Sequence, residues 1–297
     1  MGLVVNGLSK SFNGNVVVKD ISFDCEAGKV FGLLGRNGSG KTTTLRMIMG
    51  IIKRDSGEVT WNGEKLSRQF ERIGYLPEER GIYIKEKVSE QLIYFATLKG
   101  LSQKKAKSAV QYWLEKFNIK EYYDRKVETL SKGNQQKIQL IVSILHDPDI
   151  VLFDEPFSGL DPVNMEILKE VINELKENGK CIVLSSHLMD FVEKYCEDVL
   201  LLKKGETMVS GKLSKIKSDY NRKNLIIRTG GEDIQTMLDR HGISVSEVLE
   251  NQYITRVADE QEAQSLLQQL VANNISIQKY ELTEPTLHEI FIEKAGD

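Results

Sequence analysis

The chain has 297 residues, which is enough for about two domains of ordinary size. Hydrophobic residues make up 40% of it and charged residues 28%, as in folded water-soluble proteins, and the net charge of −3 excludes a basic field that would attract nucleic acid. Its apolar runs are too short to cross a bilayer and its first residues lack a signal-peptide pattern, so we expect a cytosolic protein without a membrane span of its own. The 3 cysteines have no paired spacing, which favours buried thiols in a reducing compartment over metal ligands.

The first segment, residues 3–27, is predicted to form short strands, because apolar and β-branched residues surround a turn at Asn13-Gly14. Phe12 stands just before that turn. An aromatic ring at this place can stack on a nucleobase, although an aromatic residue in a strand more often belongs to the core. Both interpretations stay open on the residues alone.

A strand, a glycine-rich loop and a helix are predicted next. Residues 30–34 are mostly apolar, residues 35–42 (GRNGSGKT) match the pattern G-x-x-x-x-G-K-[ST], and apolar residues then follow at helical spacing. The glycines let successive backbone N–H groups curl around an anion, and the helix directs its positive end to the same place. Lys41 adds a charge that reaches the β- and γ-phosphates, and the Thr42 hydroxyl can bind Mg²⁺. These flanking elements disfavour a glycine-rich turn that binds nothing.

A later predicted strand, residues 73–76, ends at Pro77, which cannot continue a ladder. The residue after it, Glu78, is expected to face a ligand, because polar residues at the carboxyl ends of strands in an α/β sheet line the binding crevice. Residues 87–147 then carry apolar residues at helical spacing and are predicted to form a mostly helical subdomain.

This region ends in Leu130-Ser131-Lys132-Gly133-Asn134, which precedes another helix. Ser131 and Gly133 offer a hydroxyl and bare N–H groups at the positive end of that helix, where an anion binds well. An ordinary helix N-cap explains the same residues and is favoured when they are considered in isolation.

Acidic residues follow a buried strand. Residues 150–153 are a continuous apolar run, as in a parallel strand, and Asp154 and Glu155 come at its carboxyl end. Two adjacent acids there are costly unless they face a cation or water. Asp154 can bind Mg²⁺ beside phosphate oxygens, and Glu155 is then free to polarise a water that attacks the γ-phosphate. A further strand, residues 181–186, ends at His187, which is expected to contact the γ-phosphate, although a lone histidine is usually structural.

The composition changes from about Asn221 onward. Strand and helix patterns follow in the order β-α-β-β-α-β, which is typical of a small ferredoxin-like domain, and a final helix begins after Pro285. This part contains no catalytic group of residues. Dimer contact, partner docking and regulation all remain open as its role.

Together these motifs resemble the nucleotide-binding subunit of ATP-binding cassette (ABC) transporters over roughly residues 3–215. The motifs occur in the family order: Phe12 at the base-stacking aromatic loop, residues 35–42 as Walker A, Glu78 in the Q-loop, residues 130–134 as the signature, residues 150–155 as Walker B, residues 158–161 as the D-loop and His187 as the switch histidine. A single motif arises by chance, whereas the ordered set is specific.

The resemblance implies an α/β fold: a P-loop NTPase cassette with an antiparallel β subdomain and a helical signature subdomain, followed here by a small α+β (ferredoxin-like) domain. We expect the cassette at residues 1–220, with its helical subdomain at about 87–147, and the accessory domain at residues 221–297. The resemblance also implies an ATPase that forms a head-to-tail dimer, here a homodimer, around two molecules of ATP with Mg²⁺. Each ATP then lies between Walker A of one subunit and the signature of the other.

The matched motifs assign the site residues by resemblance. Catalysis is assigned to Glu155 and His187, and metal binding to Thr42, Glu78 and Asp154. Contacts to ATP are assigned to Phe12, Gly35, Arg36, Asn37, Gly38, Ser39, Gly40, Lys41, Thr42, Thr43, Ser131, Lys132, Gly133, Asn134 and Asp161.

Three residues depart from the usual family pattern: Glu78 replaces the Q-loop glutamine, Lys132 replaces the middle glycine of the signature, and Asn134 replaces its glutamine. Glu78 can still bind Mg²⁺ or water, and Lys132 suits a phosphate-facing surface, so these changes bear on coupling rather than on ATP binding. The stretch LPEERG, residues 76–81, and the small C-terminal domain are similar to the subfamily that pairs with separate exporter permeases, in which sodium-export and drug- or peptide-resistance systems belong.

The implied partner is an integral membrane permease that docks between Gly81 and Lys87 and holds the subunit at the inner face of the cell membrane. No nucleic-acid partner is expected. Two other functions remain: a soluble ABC ATPase that acts on ribosomes or DNA, and an importer ATPase. A single cassette without heptad arms or a basic stripe argues against the first, and the C-terminal domain argues for export. The transported substrate is not readable, because cargo specificity lies in the permease.

Overall fold

The computed structural model describes residues 1–66, 69–79, 81–220 and 222–295. Two residues that the sequence singled out, Arg80 in LPEERG and Asn221 at the change of composition, lie outside the described residues. The chain divides into two compact units, Met1–Gly211 and Lys212–Asp297, each with a hydrophobic core. This division falls earlier than residue 220, where we expected it. The residues in between belong with the second unit, in which the Tyr220 hydroxyl donates a hydrogen bond to Glu293.

The strands, in chain order, are β1 (Gly2–Phe12), β2 (Asn15–Glu26), β3 (Val30–Gly35), β4 (Ser56–Trp61), β5 (Glu64–Lys65), β6 (Ile73–Leu76), β7 (Ile150–Asp154), β8 (Cys181–Ser186), β9 (Asp198–Lys203), β10 (Glu206–Lys212), β11 (Lys223–Thr229), β12 (Val245–Leu249), β13 (Gln252–Val257) and β14 (Ile277–Thr283). The α-helices are α1 (Lys41–Ile48), α2 (Val88–Leu98), α3 (Gln103–Lys116), α4 (Lys132–Ile144), α5 (Pro162–Glu177), α6 (Met189–Tyr195), α7 (Leu213–Ser218), α8 (Gln235–Arg240), α9 (Glu260–Ala272) and α10 (Leu287–Ala295). Short 3-10 helices cover Phe70–Arg72, Lys120–Tyr122 and Val127–Thr129. No helix within the described ranges is long and apolar enough to cross a membrane.

The first unit begins with an antiparallel sheet in the order β2-β1-β4-β5. Short strands were predicted here, and this was wrong, because β1 and β2 run for 11 and 12 residues. Their pairing changes register between Val5 and Leu8 and again around Lys10. Such irregularities interrupt the alternation of buried and exposed residues, so that one long strand looks like several short ones in sequence.

The second sheet has the order β10-β9-β3-β8-β7-β6, and the pairs from β9 to β6 are parallel. Every residue of β3, β7 and β8 is buried, which explains their continuous apolar runs. The carboxyl ends of parallel strands meet at one edge of a sheet. The segments after β3, β6, β7 and β8, which carry Lys41, Glu78, Glu155 and His187, therefore start from the same edge.

One core joins the two sheets of the first unit. It contains Leu3 of β1, Leu45 of α1 and Leu152 of β7, and the rings of Phe23 and Phe31 stack with centroids 4.3 Å apart. Because α1 packs into this core, the loop that precedes it is held at a fixed place on the sheet edge. The cysteines Cys25, Cys181 and Cys196 are buried free thiols, as expected.

The predicted helical subdomain contains α2, α3 and α4. Ser102 caps α3 and Ser131 caps α4, each through its side-chain oxygen. Each helix contributes a fully buried side chain, namely Leu92, Val110 and Ile138. The subdomain therefore follows the apolar spacing that predicted it.

The second unit contains an antiparallel sheet in the order β12-β13-β11-β14. With α8 and α9 inserted, the chain order is β-α-β-β-α-β, and the first and third strands of the set are central, as in ferredoxin-like domains. Leu225, Leu238 and Leu266 belong to its core, and α10 buries Leu287 and Ile290. The predicted small α+β domain is therefore confirmed.

Candidate active site

The glycine-rich loop between β3 and α1 has a backbone that only glycine adopts without strain. Gly35, Gly38 and Gly40 have φ values of 151°, 80° and 106°. A Cβ atom on Gly35 would lie 2.4 Å from Ser39 Oγ, and one on Gly40 would lie 2.9 Å from the Val17 carbonyl oxygen. The helix α1 begins directly after Gly40, so its positive end lies at the loop. This is the strand-loop-helix arrangement that binds phosphate.

Lys41 is buried inside this loop. Its Nζ donates to the carbonyl oxygen of Gly35 at 2.6 Å and to that of Arg36 at 3.3 Å. The same Nζ lies 3.2 Å from Glu155 Oε1, and the two side chains are 5% and 4% exposed. The ion pair is not aligned as a hydrogen bond, and Glu155 Oε1 has no hydrogen-bond partner among the described residues. The buried Lys41 ammonium therefore faces a buried carboxylate, and the Oε1 atom of that carboxylate can still accept a hydrogen bond.

Asp154, at the end of β7, accepts hydrogen bonds from three hydroxyl groups. Thr42 Oγ1 donates to Oδ1 at 3.1 Å, Ser185 Oγ donates to Oδ1 at 2.6 Å, and the Tyr75 hydroxyl donates to Oδ2 at 3.3 Å. Burial raises the pKa of Tyr75, which keeps this hydroxyl a donor. Asp154 is 1% exposed, and these three hydrogen bonds offset the free-energy cost of burying its carboxylate.

Ser185 and Tyr75 were missed by sequence analysis. Asp154 pairs with Ser185 across β7 and β8, and Tyr75 pairs with Leu152 across β6 and β7. The signal was their place near the carboxyl ends of strands in the same predicted sheet, but their contacts depend on strand register.

Glu155 adopts a left-handed backbone, with a φ of 50°, immediately after β7. Its N–H donates to both the carbonyl oxygen and the hydroxyl of Ser185, at 3.2 and 3.1 Å. Its Oε2 accepts the His187 N–H at 3.3 Å and lies 2.9 Å from His187 Nδ1. A non-glycine residue at positive φ costs free energy and often occurs at functional sites, where surrounding bonds hold it in place. Here the bonds place Glu155 between Lys41 and His187, whose side chain is 44% exposed.

A cavity of about 260 Å³ opens beside these residues. Its lining consists of Val17, Asn37, Gly38, Ser39, Gly40, Lys41, Thr42, Thr43, Glu78 and Glu155. The cavity is therefore lined largely by residues of the glycine-rich loop, and we call it the phosphate cavity and that loop the phosphate loop. Ser39 Oγ is buried there without a hydrogen-bond partner among the described residues, which leaves a polar group available to a ligand.

The residues expected to hold Mg²⁺ were Thr42, Glu78 and Asp154. The structure brings the Thr42 hydroxyl into contact with Asp154, and Glu78 lines the same cavity as Thr42. In the described parts of the chain, no group of three or more His, Cys, Asp or Glu is placed to hold a metal. A hydroxyl and one or two carboxylates fit Mg²⁺, which usually takes its other ligands from water and phosphate.

Phe12 lies at the end of β1 and does not belong to the core, because 42% of it is exposed. Lys10 Nζ lies 5.2 Å from the centre of its ring. Val17, on the strand after the turn, lines the phosphate cavity, whereas Phe12 is outside that lining. The exposure of the ring excludes the core interpretation, and stacking on a base stays a prediction.

The signature residues form a separate surface. Ser131 accepts the Asn134 N–H at 3.3 Å, and both Ser131 and Lys132 are exposed. A Cβ atom on Gly133 would lie 2.8 Å from Asn164 Nδ2, and that Nδ2 donates to Asp161, which caps α5. Asn164 was not predicted from the sequence. None of these signature residues lines the phosphate cavity of its own chain.

The chain has relatives among the ATP-binding proteins of ABC transporters. The sequence model described as "ABC transporter" matches residues 18–158, and the model described as "ATP-binding protein DrrA1-3-like, C-terminal domain" matches residues 211–295. The chain is 44% identical over 295 residues to the ABC transporter ATP-binding protein YhaQ of Bacillus subtilis (strain 168), covering 99% of this chain and 98% of YhaQ. It is 28% identical over 305 residues to the linearmycin resistance ATP-binding protein LnrL of the same organism, covering 99% and 98%. A solved structure of an ATP-binding subunit of an ABC transporter aligns with a TM-score of 0.70 at 30% identity, covering 74% of this chain and 93% of that one.

Proposed function

The chain belongs to the ATP-binding subunits of ABC transporters, which are ATPases that drive transport, and on this basis we propose that it powers export through a separate membrane permease. The observation that carries the direction of transport is the C-terminal unit. Residues 211–295 match the DrrA1-3-like domain, and the linearmycin resistance relative aligns over nearly the whole of both chains. Resistance to a toxic compound is consistent with its removal from the cell.

ATP is proposed to bind with its phosphates on the loop between Gly35 and Thr43 and with its base against Phe12. The loop glycines, the N-terminus of α1 and the Lys41 ammonium supply the positive groups that a triphosphate needs. Thr42 and Asp154 would hold Mg²⁺, with Glu78 contributing a direct or water-mediated contact. When bound, Mg²⁺ neutralises charge on the phosphate oxygens.

Glu155 is proposed to polarise the attacking water, and His187 to contact the γ-phosphate. His187 Nδ1 lies 2.9 Å from Glu155 Oε2, and Oε1 faces Lys41. A γ-phosphate on the loop attracts the Lys41 ammonium, so it competes with Glu155 for that charge. Oε1 then becomes available as the acceptor for a proton of water, which is the role that a general base requires.

The signature surface is proposed to complete the site of a second copy of the chain. Ser131, Lys132, Gly133 and Asn134 lie at the positive end of α4, and Asp161 is linked to Gly133 through Asn164. Since these residues are outside the phosphate cavity of their own chain, a head-to-tail homodimer gives them a phosphate to contact. Two ATP molecules would then be enclosed by two copies.

The permease is proposed to dock on residues 81–87 and on the exposed side of α2, which holds the subunit at the inner face of the cell membrane. Tyr83 and Ile84 are 57% and 48% exposed, and Tyr94 and Leu98, one turn apart on α2, are 52% and 66% exposed. Adjoining exposed apolar side chains are typical of a protein-binding surface.

A cavity of about 370 Å³ on this surface supports a proposal for the chemistry of the partner. It is lined by Tyr83, Glu86, Glu90, Gln91 and Tyr94. Gln91 is 2% exposed, and its Oε1 has no hydrogen-bond partner among the described residues. Glu90 already has a cationic neighbour, because Lys87 Nζ lies 3.7 Å from its carboxylate. The groups left to contact a partner are the Glu86 carboxylate, the Gln91 amide oxygen and the two tyrosine rings. These groups favour a cation, so we expect the docking segment of the permease to insert an arginine or lysine side chain.

The second unit is proposed to act as an accessory domain, with the cassette ending between Gly211 and residue 221. The function as a whole is tested by tagging the full chain in its host and purifying it from detergent-solubilised membranes. The expected result is a complex with one kind of integral membrane protein that hydrolyses MgATP. Recovery with ribosomes favours the soluble alternative, and recovery with a permease that requires a solute-binding protein favours import.

A further inference from the structure

A glutamine in the signature helix contacts the segment that carries Glu78. Gln139 lies about two turns into α4 and is 6% exposed. Its Nε2 donates to the carbonyl oxygen of Pro77 at 3.0 Å and to that of Glu79 at 2.9 Å. Because β6 ends at Leu76, both carbonyls lie beyond the strand ladder. The two bonds therefore hold the backbone on each side of Glu78.

The helix that carries Gln139 also packs closely against β6. A Cβ atom on Gly74 would lie 2.1 Å from the carbonyl oxygen of Ser143, so backbone meets backbone at this point. Ser143 follows Gln139 by about one turn of α4. Close packing of this kind transmits displacement rather than absorbing it. A movement of α4 is therefore passed both to β6 and to the segment after it.

The ends of this connection are two parts of the proposed ATP site. Ser131 caps α4 at one end, and Glu78 lines the phosphate cavity at the other. We propose that Gln139 is a positioning residue, which sets the place of the Glu78 carboxylate in the cavity and links it to the position of Ser131. The proposal rests on the role proposed above for Glu78 as a contact to Mg²⁺ or its water.

The side-chain chemistry of Gln139 suits this task. An amide NH₂ has two N–H donors and no charge, so it can satisfy two carbonyls in a buried place without a counter-ion. Methionine has a similar length and volume but no donor, so Gln139→Met removes the two bonds and keeps the packing. A control exists on the same helix. Gln135 is also buried, and its Nε2 donates to the carbonyl oxygens of Val127 and Leu130 at 3.1 Å each.

The experiment compares Gln139→Met, Gln135→Met, Glu78→Gln and the double variant Glu78→Gln/Gln139→Met in the full chain. Binding of a fluorescent ATP analogue is titrated with and without Mg²⁺, and turnover is measured against Mg²⁺ concentration. For Gln139→Met we expect unchanged ATP affinity without Mg²⁺ and an unchanged KM for ATP. The Mg²⁺ concentration that gives half-maximal turnover should rise about 10-fold and kcat should fall about 10-fold, as for other residues that orient metal contacts. Gln135→Met should lower the melting temperature as much as Gln139→Met does, but it should leave the Mg²⁺ requirement unchanged.

The double variant decides whether Gln139 acts through Glu78. If it does, Gln139→Met has no further effect on the metal requirement once Glu78→Gln is present. The proposal would be overturned if Gln139→Met changed the Mg²⁺ requirement by the same factor in the wild type and in Glu78→Gln. It would also be overturned if Glu78→Gln changed the Mg²⁺ requirement and Gln139→Met did not. If Glu78→Gln has the same Mg²⁺ requirement as the wild type, the role proposed for Glu78 itself is wrong. This outcome is distinguishable from the two above.

Discussion

The Lys41 ammonium lies 3.2 Å from the Glu155 carboxylate, and both side chains are almost completely buried. The residue proposed to bind phosphate is thus paired with the residue proposed to activate water. The Glu155 oxygen that faces Lys41 accepts no hydrogen bond from the described residues. Because a phosphate group attracts the same ammonium, we expect nucleotide binding and the availability of Glu155 to be coupled through this contact.

The variant Glu155→Gln separates binding from hydrolysis. An amide cannot take a proton from water, so we expect phosphate release to fall by about 100-fold or more. Since the amide also leaves Lys41 without its anionic partner, ATP affinity should be equal or higher, and the ATP-bound dimer should persist in gel filtration. The control is Glu166→Gln, an exposed residue of α5 that pairs with Lys169. Normal hydrolysis in Glu155→Gln would show that another group activates the water.

Loss of the Ser185 hydroxyl should weaken metal binding. Ser185 Oγ donates to Asp154 at 2.6 Å and accepts the Glu155 N–H, so it orients both acids. In Ser185→Ala we expect about 10-fold weaker binding of Mn²⁺ to the ATP complex, measured by electron paramagnetic resonance, with little change in metal-free ATP affinity. Ser186→Ala is the matched control, because Ser186 Oγ bonds to the Leu188 N–H instead. Equal effects of the two variants would contradict the orienting role.

Charge on the docking surface should govern permease binding. The double variant Glu86→Gln/Glu90→Gln removes the anions that line the cavity beside Gln91, so less permease should co-purify and its recovery should depend less on salt. ATPase activity without the permease should stay unchanged. Glu115→Gln is the control, since Glu115 is exposed and pairs with Lys120 on the helical subdomain. Recovery and salt dependence equal to those of the wild type would exclude a basic side chain in this cavity.

Acid should destabilise the first unit partly through His146. Burial lowers the pKa of His146 to about 4, whereas the unfolded residue titrates near 6.5. Protons therefore bind the unfolded state more readily between these values, and stability is lost as the pH falls from about 6.5 towards 4. His146→Gln keeps a donor for the Ile73 carbonyl and should reduce the difference in unfolding free energy between pH 7 and pH 5 by at most about 2 kcal/mol.

Tryptophan fluorescence in urea titrations reports the unfolding free energy of the first unit, because Trp61 and Trp113 both lie in that unit together with His146. His241→Gln, an exposed residue of the second unit, is the control. If His146→Gln has the pH dependence of the wild type, the histidine does not contribute.

The parts of the site that were predictable from sequence are local in the chain. The loop from Gly35 to Thr42 follows from glycine conformations and the helix after it, and Ser131 follows from helix capping. The second unit was predictable for a related reason, since its strands and helices alternate with clear periods.

The rest depends on contacts between distant residues. Ser185 reaches Asp154 because β7 and β8 pair in one register, and Gln139 reaches Pro77 because α4 packs on β6. Nothing in the residues near Ser185 or Gln139 specifies these neighbours. Exposure of Phe12 was equally unpredictable, because an aromatic residue at the end of a strand suits either the core or the surface.

The phosphate loop of one chain and the signature of another are proposed to form a single ATP site. This shared site is tested by mixing two inactive variants, Lys41→Ala and Ser131→Arg, and measuring ATP hydrolysis. In a head-to-tail dimer of one copy of each, one site keeps both Lys41 and Ser131, so we expect activity to recover to about a quarter of that of the wild type in an equal mixture. A mixture no more active than its two components would contradict the shared site.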